Sequence, residues 1–336
     1  MTVLVPTGSS AQWDALVDGA EGATAFHRHG WLQLQARLHG WRFVPLLVRD
    51  GGRDVGVLPL LLVRRGPLWV EAPVPFPYVG PLVPPALLPA VLAALTRWAR
   101  RRAVAVTRLD LGPGAGGAAA VLREAGWVCE EATTFVADVS HGDVAEVRRR
   151  ASKSMRRSAR RAEQLGVVVA DATEEQVRRS LPALLAESYG ARGVPSPYPA
   201  GVGDVLWAAC GGREDVLLRS ATLDGEVVGL EVALVHGDTL YDWAGGTFRA
   251  HRDCGGGALL QLDVLERAAE RGLRRVDLVG AVDEGVAHFK RSTGAREESF
   301  VMATRVHSRL WATARRGSRV LASVAGRGLR EPAAAL

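Results

Sequence analysis

The chain has little lysine, little cysteine and no long apolar run. Of 42 basic residues only Lys153 and Lys290 are lysines, which leaves 42 − 2 = 40 arginines. Three cysteines, Cys129, Cys210 and Cys254, form neither a CxxC pair nor an even framework. That argues against a disulfide scaffold and a thiolate zinc site. The eight histidines show no HxxxH or HExxH spacing, so no metal is expected. No Walker loop and no G-x-S-x-G elbow occur, which removes P-loop NTPases and α/β-hydrolases from view. The longest charge-free run with membrane-like hydrophobicity, 81–96, is short and holds four prolines, whereas a spanning helix needs about 20 apolar residues. The first residues, MTVLVPTGSS, carry no basic stretch, so no secretory signal is read. A cytoplasmic protein is the expectation.

What is present is ordinary globular material. With 336 residues, 48% apolar and 23% charged, two domains are expected. The net charge is +6. The arginine preference reads first as codon bias, and it makes the two lysines informative. Lysine is a compact point charge and arginine a wide fork, so a surviving lysine marks a place where the fork does not serve. The cations also cluster. Residues 148–161, RRRASKSMRRSARR, hold eight cations and no acid. They predict one helix ending near Gly166, followed by an apolar strand. Its outer face is either solvated or a dock for phosphates. Residues 305–330 carry seven more cations and no acid, with Leu310, Trp311, Val320 and Leu321 among them. This segment is expected to pack on the body, or else to meet RNA or an anionic membrane surface.

An internal repeat organises the rest. Asp50–Gly56 and Asp224–Gly229 each read as a hairpin turn feeding an apolar strand. Each is followed by a helix rich in Ala and Leu, at 86–102 and 257–271. Then comes a buried strand, TRLDLG at 107–112 and RRVDLVG at 274–280, and a short helix breaking at Gly126 or Gly294. Only the second copy has Arg252-x-x-Gly255-x-Gly257 between strand and helix. Glycines there let backbone N–H groups approach a pyrophosphate at a helix N-terminus.

This order of elements resembles the GNAT acyltransferases. The resemblance implies an α/β (α+β) fold of two tandem GNAT-like modules, with mixed, mostly antiparallel sheets flanked by helices. Residues 1–145 form the first, a degenerate acceptor platform on which 305–336 packs, and 146–304 the second, catalytic one. In that family a tyrosine four residues before a glycine protonates the leaving group; here Lys290 stands four residues before Gly294, while the first copy has Leu122 before Gly126. Tandem modules with Phe-Lys near the end are similar to the FemABX peptidyltransferases. The likeness runs over about 20–305, through FHRHGW at 26–31, PFPYVGPL at 75–82, RRSARRAEQLGV at 156–167, ESYGARGV at 187–194, LYDWAGGT at 240–247 and HFKRSTG at 288–294.

The resemblance implies roles. Lys290 matches a lysine that stabilises the tetrahedral oxyanion, and Phe289 the aromatic beside it. Arg192 matches an arginine holding the acceptor's diphosphate, and Tyr241 a tyrosine of the acceptor cleft. Lys153 and Arg157 belong to the basic substrate-binding run; Arg252, Gly255 and Gly257 would hold donor phosphate. The family lysine shortly after the tryptophan aligned to Trp31 is missing, with Gln33, Gln35 and Arg37 in that zone. The implied reaction moves an aminoacyl group from aminoacyl-tRNA, as co-substrate and partner, to an amine of a peptidoglycan-precursor or peptide-like acceptor. No bound cofactor is expected. Acetyl-CoA is the alternative donor, and a non-catalytic RNA or precursor-binding protein the third reading. The attacking amine must be neutral, and substrate phosphate, water, Asp242 and Glu231 all stay open as its base.

Overall fold

The structure, a computed structural model, describes residues 1–191, 193–308 and 311–312. Arg192 and most of the segment 305–336 lie outside the described residues. Among those described, no helix is long and apolar enough to cross a membrane.

The chain runs β1 (Val3–Pro6), α1 (Ser10–Asp18), α2 (His29–His39), β2 (Arg42–Asp50), β3 (Arg53–Arg65), β4 (Leu68–Glu71), α3 (Leu88–Arg101), β5 (Val104–Leu111), α4 (Ala118–Glu124) and β6 (Val128–Asp138). It continues α5 (Val144–Arg150), α6 (Lys153–Gln164), β7 (Val168–Asp171), α7 (Glu174–Gly190), α8 (Val202–Cys210), β8 (Val216–Leu223), β9 (Glu226–His236), β10 (Thr239–Thr247), α9 (Gly256–Glu270), β11 (Arg275–Asp277), α10 (Glu284–Ser292) and β12 (Arg296–Val306).

Two compact units result. The first takes in Met1–Ala36, Gly40–Ala132 and the described residues from Ser299 on; the second takes in Arg37–His39 and Thr133–Glu298. Sequence reading places the boundaries in loops near 145 and 305. In space the chain changes unit inside strands β6 and β12, because each of these strands pairs with the sheet of the unit it enters. β6 pairs with β11 over Val136–Asp138, and β12 pairs with β5 over Val301–Val306. Strand order is β1-β2-β3-β4-β5-β12 in the first unit and β6-β11-β10-β9-β8-β7 in the second. Only β4/β5 and β10/β11 are parallel among the registered pairs of each unit, and α3 or α9 makes the crossover between them.

The first unit's core gathers Leu46, Leu58 and Leu60 of the β2/β3 hairpin under Leu92, Leu95 and Trp98 of α3. Leu122, the first copy's counterpart of Lys290, is fully buried in that core. In the second unit, Val264 and Leu265 of α9 pack on Phe135, Leu240 and Val276. The opposite flank of α9 packs Leu259 and Leu262 against Met155, Ala159 and Ala162 of α6.

The basic run is not one helix. Ala151 is extended (φ −64°, ψ 149°), and Ser152 restarts the chain by capping Met155 N at 3.1 Å. The Arg156 guanidinium donates to the carbonyls of Arg149 (2.8 Å) and Ala151 at the end of α5. Arg148 pairs with Glu163 and Glu266, and Arg149 and Arg150 pair with Glu146. Half the run is thus spent inside the fold. Lys153, Arg157, Arg160 and Arg161 stay exposed along one stripe of α6, with no ion pair among the described residues. The strand expected after them, β7, is a short edge strand with Val168 59% exposed.

Gly255 joins α6 to α9. It is left-handed (φ +80°), and a Cβ there would stand 2.3 Å from the Ser158 carbonyl oxygen. Gly255→Ala combines backbone strain with a backbone clash, and is expected to cost about 2 kcal/mol or more, read as a lower Tm.

Candidate active site

The parallel pairing of β10 with β11 lasts three residues, Thr239–Tyr241 against Arg275–Asp277. β10 then runs on with a bulge between Asp242 and Ala244, stays paired to β9, and leaves a fork at the end of β11. The fork's far side is a tight turn. Asp277 accepts from Val279 N at 2.8 Å and from Thr134 Oγ1 at 2.6 Å. This turn holds Val279 at φ +54°, a strained conformation for a β-branched residue.

The turn carbonyls converge on one cation. Lys290 reaches back from α10, and its ammonium donates to the carbonyls of Leu278, Gly280 and, at 3.4 Å, Val279. Asp283 caps the start of that helix by accepting from Val286 N at 2.9 Å. Gly294, two residues past its end, sits at φ +93° against the Arg150 carbonyl, where only glycine fits without strain. Burial lowers the Lys290 pKa, and the charges of Asp242, Asp277 and Glu231 oppose that shift.

A carboxyl pair lies under the same fork. Asp242 of β10 and Glu231 of β9 are each 8% exposed. Strand alternation puts both on the face toward α9, where Gln261 Nε2 donates to Asp242 Oδ2 at 3.1 Å. Glu231 lies over bare backbone: a Cβ on Gly245 would stand 2.0 Å from its Oε2. Burial raises both carboxyls, and the Glu231 carboxyl is further raised by the Asp242 charge and by donating a hydrogen bond to it. Lys290, Gln261 and that bond pull Asp242 back. Of the two, Glu231 is the carboxyl pushed more strongly toward its protonated form, while the Lys290 charge favours ionised Asp242. Both candidate bases thus fall in one buried group with the lysine.

The other expected residues are placed as follows. Tyr241 is buried in β10 on the face opposite Asp242, its phenol raised by burial, and is not brought to the Lys290 ammonium. Phe289 packs against the α6/α9 cluster, about 100° round α10 from Lys290, so it shields α6 rather than the ammonium. Lys153 and Arg157 are exposed on α6, and Arg252 is exposed in a 3-10 turn, Arg249–Cys254. Gly255 and Gly257 open α9; a Cβ on Gly257 would stand 2.3 Å from Thr247 Oγ1. The glycine loop is engaged internally. Cys254 Sγ accepts from Gly256 N at 3.3 Å, and Gly255 rests on Ser158. Sequence reading missed Gln261, Thr134 and Asp277. Asp277 had a usable signal, an acid inside the apolar strand RVDLV; Glu231 in GLEVALV shows the same one. No group of three or more His, Cys, Asp or Glu placed to hold a metal occurs among the described residues.

Comparison with known proteins fits this geometry. Residues 148–291 match the family of GNAT acetyltransferase domains. That match covers 144 of the 336 residues, all within the second unit. The chain's fold is that of the crystal structure of FemX, 14% identical, with a TM-score of 0.71 over 89% of this chain and 96% of that one. A tandem GNAT protein from the clavulanic acid biosynthesis pathway is 17% identical, with a TM-score of 0.55 over 92% of this chain and 99% of its own. The C-terminal domain of a putative lysylphosphatidylglycerol synthetase from Agrobacterium fabrum is 12% identical, with a TM-score of 0.60 over 94% and 98%. No curated protein matches the sequence.

The raised Glu231 carboxyl has a measurable consequence. Above pH 4.5, the ordinary glutamate value, the unfolded chain releases a proton that folded Glu231 keeps. Its contribution to stability is whole below that value and falls as pH rises toward the raised folded pKa. Glu231→Gln removes this loss, so the variant's Tm relative to the parent is expected to rise from about pH 5 to about pH 8.

Proposed function

We propose that this acyltransferase moves an aminoacyl group from aminoacyl-tRNA to an amine of a peptidoglycan-precursor or peptide-like acceptor. The observation that carries the donor is the state of the glycine loop. A coenzyme A pyrophosphate needs free N–H groups there, yet Cys254 Sγ takes the Gly256 N–H and the Ser158 carbonyl backs Gly255. The exposed stripe of Lys153, Arg157, Arg160 and Arg161 supports an RNA donor, whose phosphates reward distributed cations. The first unit, with Leu122 where the second has Lys290, serves as acceptor platform.

In this reading the ester carbonyl is already activated and no ATP is needed. The acceptor amine loses a proton to the Asp242–Glu231 pair and attacks. Lys290 exchanges one turn carbonyl for the developing oxyanion, and the tRNA hydroxyl leaves with a proton. Removing one oxyanion donor typically costs about 10²–10³ in rate.

Incubation with radiolabelled aminoacyl-tRNA or acetyl-CoA and a panel of amines separates the donors. Transfer from tRNA is expected; transfer from acetyl-CoA alone would reject the proposal. Lys290→Met should lower turnover by about 10² or more. It should also lower Tm, because ionised Asp242 then stands buried without its cation. Adding Asp242→Asn should restore Tm while turnover stays well below that of Asp242→Asn alone; equal turnover of the double variant and Asp242→Asn would reduce Lys290 to a structural counter-ion. Lys290→Arg should rescue poorly, since a fork does not fit three converging carbonyls.

A second test concerns α6. Arg157→Glu with Arg160→Glu should weaken tRNA binding strongly at about 50 mM salt and much less at about 200 mM. Arg156 is left intact because it caps α5. Unchanged tRNA affinity at both salt concentrations would leave the stripe as a solvated face.

A further inference from the structure

We propose that one end of the first unit is a docking face for an anionic lipid bilayer. Strand register assembles it. β2 begins at Arg42, paired opposite Leu62, and β3 ends with Arg64 and Arg65 opposite Trp69 and Leu68. Trp69 pairs in turn with Val104, the first residue of β5, just after Arg100, Arg101 and Arg102 close α3. The antiparallel pairing of Val306 with Val106 brings Arg305 of β12 to the same end. All but Arg305, which is partly buried, are exposed. None of the seven has an ion pair among the described residues. Two acids lie near: Glu71, opposite Leu62, is buried and accepts from Leu61 N, and Glu124 stands beside Arg123, with the Arg305 guanidinium donating to the carbonyl of Ala125 next along.

The cations crowd one another. Burial lowers Arg305, and the Arg100 guanidinium lowers it further. Burial and then the same two arginines hold His307 down at about 4. A fold that gathers like charges without counter-ions is complementary to an anionic surface. The aromatic content favours lipid over nucleic acid. Arg42 and Arg64 lie 5.5 and 5.8 Å from the centre of half-buried Trp69, the one indole that the end presents among the described residues; Arg102 lies 4.7 Å from that of Trp98, which the core buries. Val306 is 46% exposed at the same end. Indoles and apolar residues mixed with arginine suit the headgroup layer of a membrane. A phosphate backbone rewards the charge alone. The proposal is independent of the donor and of Lys290.

The test uses the full chain with vesicles of phosphatidylcholine alone, or with roughly 30% phosphatidylglycerol, read by co-sedimentation. Binding is expected to the anionic vesicles only, and to fade as ionic strength rises past about 0.15 M. The combined Arg64→Glu, Arg65→Glu, Arg101→Glu variant should bind about 100-fold more weakly, at roughly fivefold per arginine. A matching set of Gln substitutions serves where the Glu set lowers Tm. Arg157→Glu with Arg160→Glu, on α6, should bind vesicles as the parent does. Three results would each overturn the proposal: no sedimentation with anionic vesicles, equal loss in the α6 variant, or a triple variant that loses tRNA affinity while keeping vesicle binding.

Discussion

The Lys290 ammonium, gathered by the turn carbonyls of 278–280, is the contact around which the second unit's buried polar group is arranged. A lysine ammonium loses its hydration on burial and stays charged only where acceptors and counter-charge replace the water. The fold supplies both. The Asp277 turn aims the carbonyls, at the expense of strain at Val279, and the Asp242–Glu231 pair supplies negative charge. Each part needs the others, so the site is a small closed set of compensations.

The supporting structure follows from that need. A full-length β10/β11 ladder would fill the space the ammonium and carboxyls occupy, and the bulge after Asp242 and the early end of pairing prevent this. Gly245 leaves Glu231 room against the sheet, and Gly294 lets the chain turn against Arg150 directly after α10. In the first unit the same topology carries none of this: Leu122 fills the lysine's place and merges with the core. One copy is spent on packing and the other on charge.

Charge is also divided by location. In α5 and α6, Arg148, Arg149, Arg150 and Arg156 bind acids or carbonyls and hold the helix break together, while α6 keeps four cations outward. In sequence these eight are indistinguishable. Helix periodicity and the position of one serine cap sort them, and the acids that neutralise the first group come as far away as Glu266.

The sequence by itself determined the repeat, the hairpins, the α/β alternation and the rank of Lys290. Those rest on local signals: Asp-Gly turns, apolar periodicity, and a lysine standing where arginine is otherwise universal. Tertiary structure alone decided the rest. Glu231, Asp242, Gln261 and Lys290 are spread over 60 positions of sequence and meet only because β9, β10, α9 and α10 stack. The faces of Tyr241 and Phe289 depended on strand and helix phase, which a one-residue shift reverses or rotates. The glycine loop kept its sequence signature while the Gly256 N–H was taken by Cys254 and the loop was backed by Ser158. Hydrogen-bond partners and burial are properties of the packed chain, and no local pattern of residue types encodes them.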